Sequence, residues 1–232
     1  MRRDAAGVFS LPPLGPLPVA SALVIEALDA LLTEERRARI ERVIGARSRA
    51  VVPVLDGLID PHNVAAVLRS ADAFGVQEVH LVEGGERFVA SNRVAQGTER
   101  WVDVIRHDSA HACVAALHDC GYGVYVAAMD GSLRPEDLAA QPRVAIVFGN
   151  EHAGVSDELR ALADGTYTIP MRGFVQSLNV SVAAAITLAA ATRDRPGDLD
   201  AEQRQTLRAR YLLASIPRAH EILNEHLRRH GA

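Results

Sequence analysis

The chain contains no lysine; all 25 basic residues among its 232 are arginines. That excludes lysine chemistry, such as a Schiff base on a lysine amine or the lysine of a P-loop. Three signatures are also absent: GxGxxG of the dinucleotide folds, GxxxxGK[ST] of the P-loop and GxSxG of the serine hydrolases. Cysteine is scarce. Cys113 and Cys120 lie seven positions apart in an expected helix, two turns along one face, and read as core residues. Nothing resembles CxxC or a zinc ligand set, and His62, His152 and the other histidines do not cluster at ligand spacing. These gaps predict a reduced, cytoplasmic protein without a structural metal. No apolar run reaches membrane-span length. The opening MRRDAAGVFSLPPLGPLPVA starts like a signal peptide, but Pro12, Pro13, Gly15, Pro16 and Pro18 break its apolar stretch. Residues 1–18 are therefore expected to be a flexible tail.

Hydrophobic residues make up 48% of the chain, enough for one sizeable core. The net charge of −4 argues against uniform attraction to nucleic acid, so local charge matters more. The run EERRARIERVIGARSR, Glu34 to Arg49, holds six arginines and three glutamates. It can be a solvated helix face. It can equally be an arm for RNA phosphates, in which Arg36, Arg37, Arg39, Arg42 and Arg47 make the contacts.

Hydrophobic spacing divides the chain into alternating elements. Helices are expected over 19–32 and 33–47, the second capped by Thr33. Strands are expected over 51–57, 77–83, 100–107, 123–129, 143–149 and 166–171, and a polar loop over 84–98. Val64, Val67, Leu68 and Ala71 mark one helix; others cover 109–120, 134–140, 156–163 and 178–193. Two more close the chain over 200–214 and 216–230. Alternation of this kind defines an α/β domain with a mostly parallel sheet over roughly 50–193. Residues 19–49 form an N-terminal helical arm and 194–232 a C-terminal helical extension.

In parallel sheets ligands bind beyond the carboxyl ends of the strands. Three loops fall there: DPHN after strand 51–57, GNEHAG after strand 143–149 and MRGFVQSLN after strand 166–171. Each has an ordinary reading. Asn63 can be a plain helix cap, Arg69 an exposed helix arginine, Glu151 a surface glutamate, and Ser177 or Asn179 the cap of the alanine-rich helix. Three such loops in this order and at these distances are a stronger signal than any one.

The stretches NVAAVLRSADAFG, IVFGNEHAGVSDE and IPMRGFVQSLNVSVAAA together resemble the three motifs of the SpoU/TrmH class of SPOUT RNA 2'-O-methyltransferases. The resemblance covers about residues 33–193. It implies a deep trefoil knot in the C-terminal half of the domain, S-adenosylmethionine as cofactor and a homodimer whose active site draws on both subunits. By motif match, Asn63, Arg69, Glu151, Ser177 and Asn179 take the family's catalytic positions. Ala127, Gly149, Ile169, Met171 and Leu178 take its cofactor-contacting positions. The arginine-rich arm and C-terminal helices resemble the branch that methylates guanosine 18 of the tRNA D-loop. The ribosomal branch usually carries a separate N-terminal RNA-binding domain, for which about 50 residues are too few.

Methyl transfer from a sulfonium needs the ribose hydroxyl held in line and its proton removed. A guanidinium stays protonated, so Arg69 is expected to clamp a phosphate or stabilise the developing alkoxide, with an RNA phosphate oxygen as proton acceptor. Three competing readings remain: the same chemistry on 23S rRNA or another tRNA site, a non-catalytic RNA-binding module, and a nucleotide-binding oxidoreductase. The last has only the α/β pattern behind it.

Overall fold

A computed structural model of the chain describes residues 9–11, 17–58, 60–82, 100–150 and 153–230. Glu151 and the expected loop 84–98 lie outside them. The strands are β1 (Phe9–Leu11), β2 (Val51–Asp56), β3 (Glu78–Val82), β4 (Asp103–His107), β5 (Gly123–Ala127), β6 (Val144–Phe148) and β7 (Gly165–Tyr167). The helices are α1 (Ser21–Leu28), α2 (Glu34–Gly45), α3 (Pro61–Ala73), α4 (Ala110–Asp119), α5 (Asp157–Leu162), α6 (Val180–Ala191), α7 (Ala201–Ser215) and α8 (Ala219–His230). The expected elements are present with ends shifted by a few residues. The segments expected as a strand over 166–171 and a helix over 134–140 shrink to a three-residue strand and a 3-10 turn over Asp137–Ala140.

The sheet runs β1-β4-β3-β2-β6-β5-β7. All neighbours from β4 to β7 are parallel; only β1 is antiparallel, pairing Ser10 with Ile105 at the edge. Phe9–Leu11 fall in the segment expected to be a flexible tail, so that expectation is corrected for these three residues: they have strand partners in β4.

Helices cover both faces of the sheet. Val144, Ile146 and Phe148 of β6 face α3 and α6, in one cluster with Val64, Val67, Leu68, Ala71, Ala184 and Leu188. Ala145 and Val147 face α4 and α5, beside Val114, Leu117 and Leu159. A strand wrapped on both sides can be apolar at every position, which is why β6 lacks alternation. Each of its large side chains contributes about 1.5–3 kcal/mol by burial.

The caps follow side-chain chemistry. Thr33 caps α2, Ser156 caps α5, and Asp200 with Gln203 forms a capping box on α7. Asn63 is not a cap: Asp60 accepts from His62 N at 2.8 Å and Pro61 opens α3. Cys120 is corrected as well. It is the exposed residue after α4, and only Cys113 is buried.

The N-terminal arm and C-terminal extension pack on each other. Val24 and Leu28 of α1 meet Ala209 and Leu212 of α7 and Leu223 of α8, while Ile40 and Ile44 of α2 meet Leu207 and Tyr211. The linker from α6 to α7 crosses the end of α2 closely. A Cβ on Gly197 would lie 2.1 Å from the Gly45 carbonyl oxygen, and Asp198 accepts from Ser48 Oγ at 2.9 Å and Arg49 N at 2.8 Å.

Candidate active site

The carboxyl ends of β2, β6, β5 and β7 lie side by side, and the three motif loops leave from three of them. Asp56, the one charged residue of β2, is buried at the strand end and accepts from Ser156 N at 2.7 Å. Asn150 donates to the Gly57 carbonyl at 2.8 Å and accepts from Ala153 N at 3.2 Å. Loop 149–156 is thus tied to the end of β2 from both sides. Gly149 allows this closure: a Cβ there would stand 2.1 Å from the backbone of Gly154 and Val155. A side chain at 149 would push the loop away from the strand. The sequence reading passed over Asp56 and Asn150; an acid ending an otherwise apolar strand was the available signal.

The third loop begins after β7. Ala128 N donates to the Tyr167 carbonyl at 2.9 Å, and Thr168 N to the Leu133 carbonyl at 2.8 Å. Ala127 and Ile169 both pack on the core cluster under α3 and α6. Gly149, Ala127 and Ile169 therefore stand at the ends of neighbouring strands. Met171 is exposed and Leu178 half-buried on the segment leading to α6. Phe174 and Val175 on that segment are also exposed.

Asn179 caps α6 by accepting from Ser181 N at 2.9 Å and Ser181 Oγ at 2.6 Å. Its amide nitrogen also donates to Asn63 Oδ1 at 3.2 Å, joining the starts of α3 and α6. Capping and site-building are here one role, because a cap uses the carbonyl oxygen and leaves the amide free. The structure brings these two of the five expected catalytic residues into contact. Arg69 is exposed, with no hydrogen-bond or ion-pair partner among the described residues. Six positions from Asn63, it lies about 9 Å further along α3 and a third of a turn around it. Ser177 is exposed.

The arginine arm divides. Arg39 and Arg42 are exposed on α2. Arg36 is half-buried; it lies 5.8 Å from the Trp101 ring centre and donates to Ser215 Oγ at 3.3 Å. Arg37 lies 3.7 Å from the Asp29 carboxylate. Arg47 contradicts its expected role. It is 1% exposed, donates to Tyr211 Oη at 3.1 Å and to the Asp72 and Val76 carbonyls at 3.3 Å, and pairs with the Asp72 carboxylate. A guanidinium spent this way cannot reach a phosphate.

This geometry defines a class: a parallel α/β enzyme whose site is assembled from three loops at one edge of the sheet. Residues 50–189 match the family model of the SpoU rRNA methylases, and the chain belongs to that family. It is 41% identical over 164 residues to the tRNA (guanosine(18)-2'-O)-methyltransferase of Thermus thermophilus, covering 70% of this chain and 84% of that one. Its fold is similar to the TrmH/SpoU tRNA modifying enzyme of A. aeolicus, with a TM-score of 0.69 and 28% identity over 79% of this chain and 98% of the other. It is also similar to the SpoU methyltransferase AviRb of Streptomyces viridochromogenes, solved in complex with AdoMet: TM-score 0.56 and 27% identity, covering 66% and 61% of the two chains. No helix among the described residues is long and apolar enough to cross a membrane.

Proposed function

We propose that this protein methylates a ribose 2'-hydroxyl of RNA, most specifically that of guanosine 18 in the tRNA D-loop, using S-adenosylmethionine. The observation that carries the reading is the Asn179–Asn63 hydrogen bond. It joins two motif segments 116 positions apart at the edge where such sheets bind ligands. The residues fit the cofactor. Ala127 and Ile169 offer an apolar floor at neighbouring strand ends, Met171 and Leu178 apolar cover, and Gly149 a backbone free of side-chain bulk. When bound, S-adenosylmethionine supplies a methyl group already activated on sulfur, so the chain has to position a hydroxyl and stabilise charge.

Arg69 is the group for the second task. An exposed arginine without a competing carboxylate among the described residues can reach a phosphate or a developing alkoxide, and its fork grips either through two hydrogen bonds. Asn63 and Asn179 orient the ribose and hold the two loops in register; Glu151 and Ser177 complete the polar set.

The active form is a homodimer. α6 is apolar on nearly every side, yet Val182 and Ile186, one turn apart, are exposed together with Phe174 and Val175. An exposed apolar face on a helix of this kind is the mark of a partner surface. The domain carries a deep trefoil knot in its C-terminal half. Its support is the family and the path from β7, at the sheet edge, back to α6 packed on α3 and β2. The tRNA arm is α2, through Arg36, Arg37, Arg39 and Arg42.

The deciding experiment is methyl transfer from labelled S-adenosylmethionine to unmodified tRNA and rRNA transcripts, with the labelled nucleotide mapped. A 2'-O-methylguanosine at position 18 of tRNA is expected. Label confined to rRNA would move the protein to the ribosomal substrates, and no label in either would overturn the reading.

A further inference from the structure

On the opposite face of the sheet from α3 and α6, a second polar cluster stands apart from the loops above. His80 of β3 and His107 of β4 lie on this face, two register positions apart diagonally. Their rings stack with centres 5.1 Å apart and planes 10° from parallel, and His80 Nδ1 lies 2.8 Å from His107 Nε2. Cys113, in the first turns of α4, is completely buried above them. One nitrogen of each ring and the Cys113 sulfur lie within 4.8 Å of one another, in the set His80, His107 and Cys113. The surrounding wall is Val82, Val114 and Leu117. The sequence spacing gave no sign of this gathering of histidines. These two sit 27 positions apart in sequence and meet only because β3 and β4 are neighbours.

Packing alone does not call for such a group. The other ring nitrogen of His80, Nε2, is buried without a hydrogen-bond partner. An orphaned buried polar atom costs about 1–3 kcal/mol, which an aliphatic residue would avoid. Burial, helped by His107, holds the His80 imidazole down at about 3, so it is neutral, the form that ligates. Burial, helped by the negative charge of Asp56, pushes the Cys113 thiol up to about 12.

We propose that His80, His107 and Cys113 bind one thiophilic transition-metal ion, zinc(II) or copper(I). Two imidazoles and one thiolate are a ligand set both ions accept, and no carboxylate in the set favours a hard cation. Three separate elements supply the ligands, so the ion clips β3, β4 and α4 together. Binding forms two metal–nitrogen bonds and one metal–sulfur bond. It breaks the Cys113 S–H bond and releases that proton to solvent; the ring that donates in the His80–His107 hydrogen bond moves its proton to its other nitrogen, so both neutral imidazoles face the ion with a lone pair. Tetrahedral ligation at about 2.0–2.1 Å to nitrogen and about 2.3 Å to sulfur asks the two nitrogens to part by about half an ångström and the sulfur to move inward. With copper(I) the site is neutral. With zinc(II) it carries one positive charge, which the Asp56 carboxylate partly offsets.

The test uses the full chain purified without a histidine tag, loaded separately with zinc(II), copper(I) and cobalt(II) as a spectroscopic stand-in for zinc. The expected result is about one tightly held ion per chain, a thiolate-to-cobalt charge-transfer band, and affinity lower by about a hundredfold or more in Cys113→Ser and His107→Gln. Cys120→Ser, which alters the exposed cysteine, should bind as the unaltered chain does. Retention of zinc after purification with weak copper(I) competition identifies zinc; the reverse identifies copper. The proposal is overturned if no ion binds stoichiometrically, if the band is missing, or if Cys120→Ser loses as much as Cys113→Ser. Should Cys113→Ser fail to fold, the cobalt band in the unaltered and Cys120→Ser proteins still decides, because only a thiolate produces it. None of these readouts depends on methyl transfer.

Discussion

Arg42 and Arg47 stand five positions apart in one arginine-rich run, and the fold gives them opposite work. Arg42 is exposed near the end of α2, whereas Arg47 is buried two residues past it and binds Asp72, Val76 and Tyr211. Replacing Arg47 with Met should lower stability by about 2 kcal/mol, because the Asp72 carboxylate and the Asp72 and Val76 carbonyls lose the guanidinium. Arg39→Ala and Arg42→Ala should leave the unfolding midpoint unchanged and each lower the slope of log affinity for tRNA against log salt by about one. Urea denaturation and a salt series would separate the two groups; equal salt slopes in all variants would refute the arm. Arg69→Ala should cut turnover by about a hundredfold or more while S-adenosylmethionine affinity stays near that of the unaltered chain. Equal loss of turnover and cofactor affinity would deny it a role confined to the reacting groups. The motif made Arg69 and Asn179 legible as candidates. The fate of Arg47 was not, because charge in a sequence does not say which neighbours desolvate it.

At the scale of elements, the start of α6 joins two roles that substitutions can part. Asn179→Ser keeps a capping oxygen for Ser181 N but is too short to reach Asn63, so stability should hold within a few tenths of a kcal/mol while turnover falls. Asn179→Ala should lose both, with about 1 kcal/mol of stability. If the serine variant turns over normally, the Asn63 bond is structural only. Gly149→Ala drives a methyl into the backbone of Gly154 and Val155, 2.1 Å away, and should lower both the thermal midpoint and cofactor affinity. The alternation of strand and helix was readable in most of the domain, because helices such as α3 show an apolar stripe and strands such as β6 a β-branched apolar run. The extents were less so. GTY pairs with β5 for only three residues before Thr168 turns to bond Leu133, a choice made by the neighbouring segment rather than by the β-prone TYTIPM itself.

For the molecule as a whole, α6 and the buried phenols govern what it should do in solution. Ile186→Glu places a charge on the exposed apolar face of α6 and should convert the proposed dimer to monomer in sedimentation; a mass unchanged by the substitution would show that this face is not the contact. Alkaline stability follows from three tyrosines. Burial pushes Tyr122 and Tyr211 up to about 12, and Tyr167 higher still, from the ordinary value of 10. Between these values the unfolded chain has released protons that the folded chain still holds. The contribution is therefore complete below pH 10 and lost as pH rises toward 12. Urea midpoints should fall over that window, and a flat profile would contradict the burial.

Sequence alone determined the α/β class, the order of elements and the three loops that carry the motif. Those rest on local periodicity, turn chemistry and residue types written in the order they are read. Tertiary structure decided which of those residues meet. Asn63 finds Asn179, Asp56 finds Ser156, Arg47 finds Asp72 and Tyr211, and His80 finds His107 and Cys113. Each pairing joins separate strands, helices or loops, so its geometry depends on how those elements pack and on the water that packing excludes. No window of sequence contains that information, because burial and contact belong to the assembled fold.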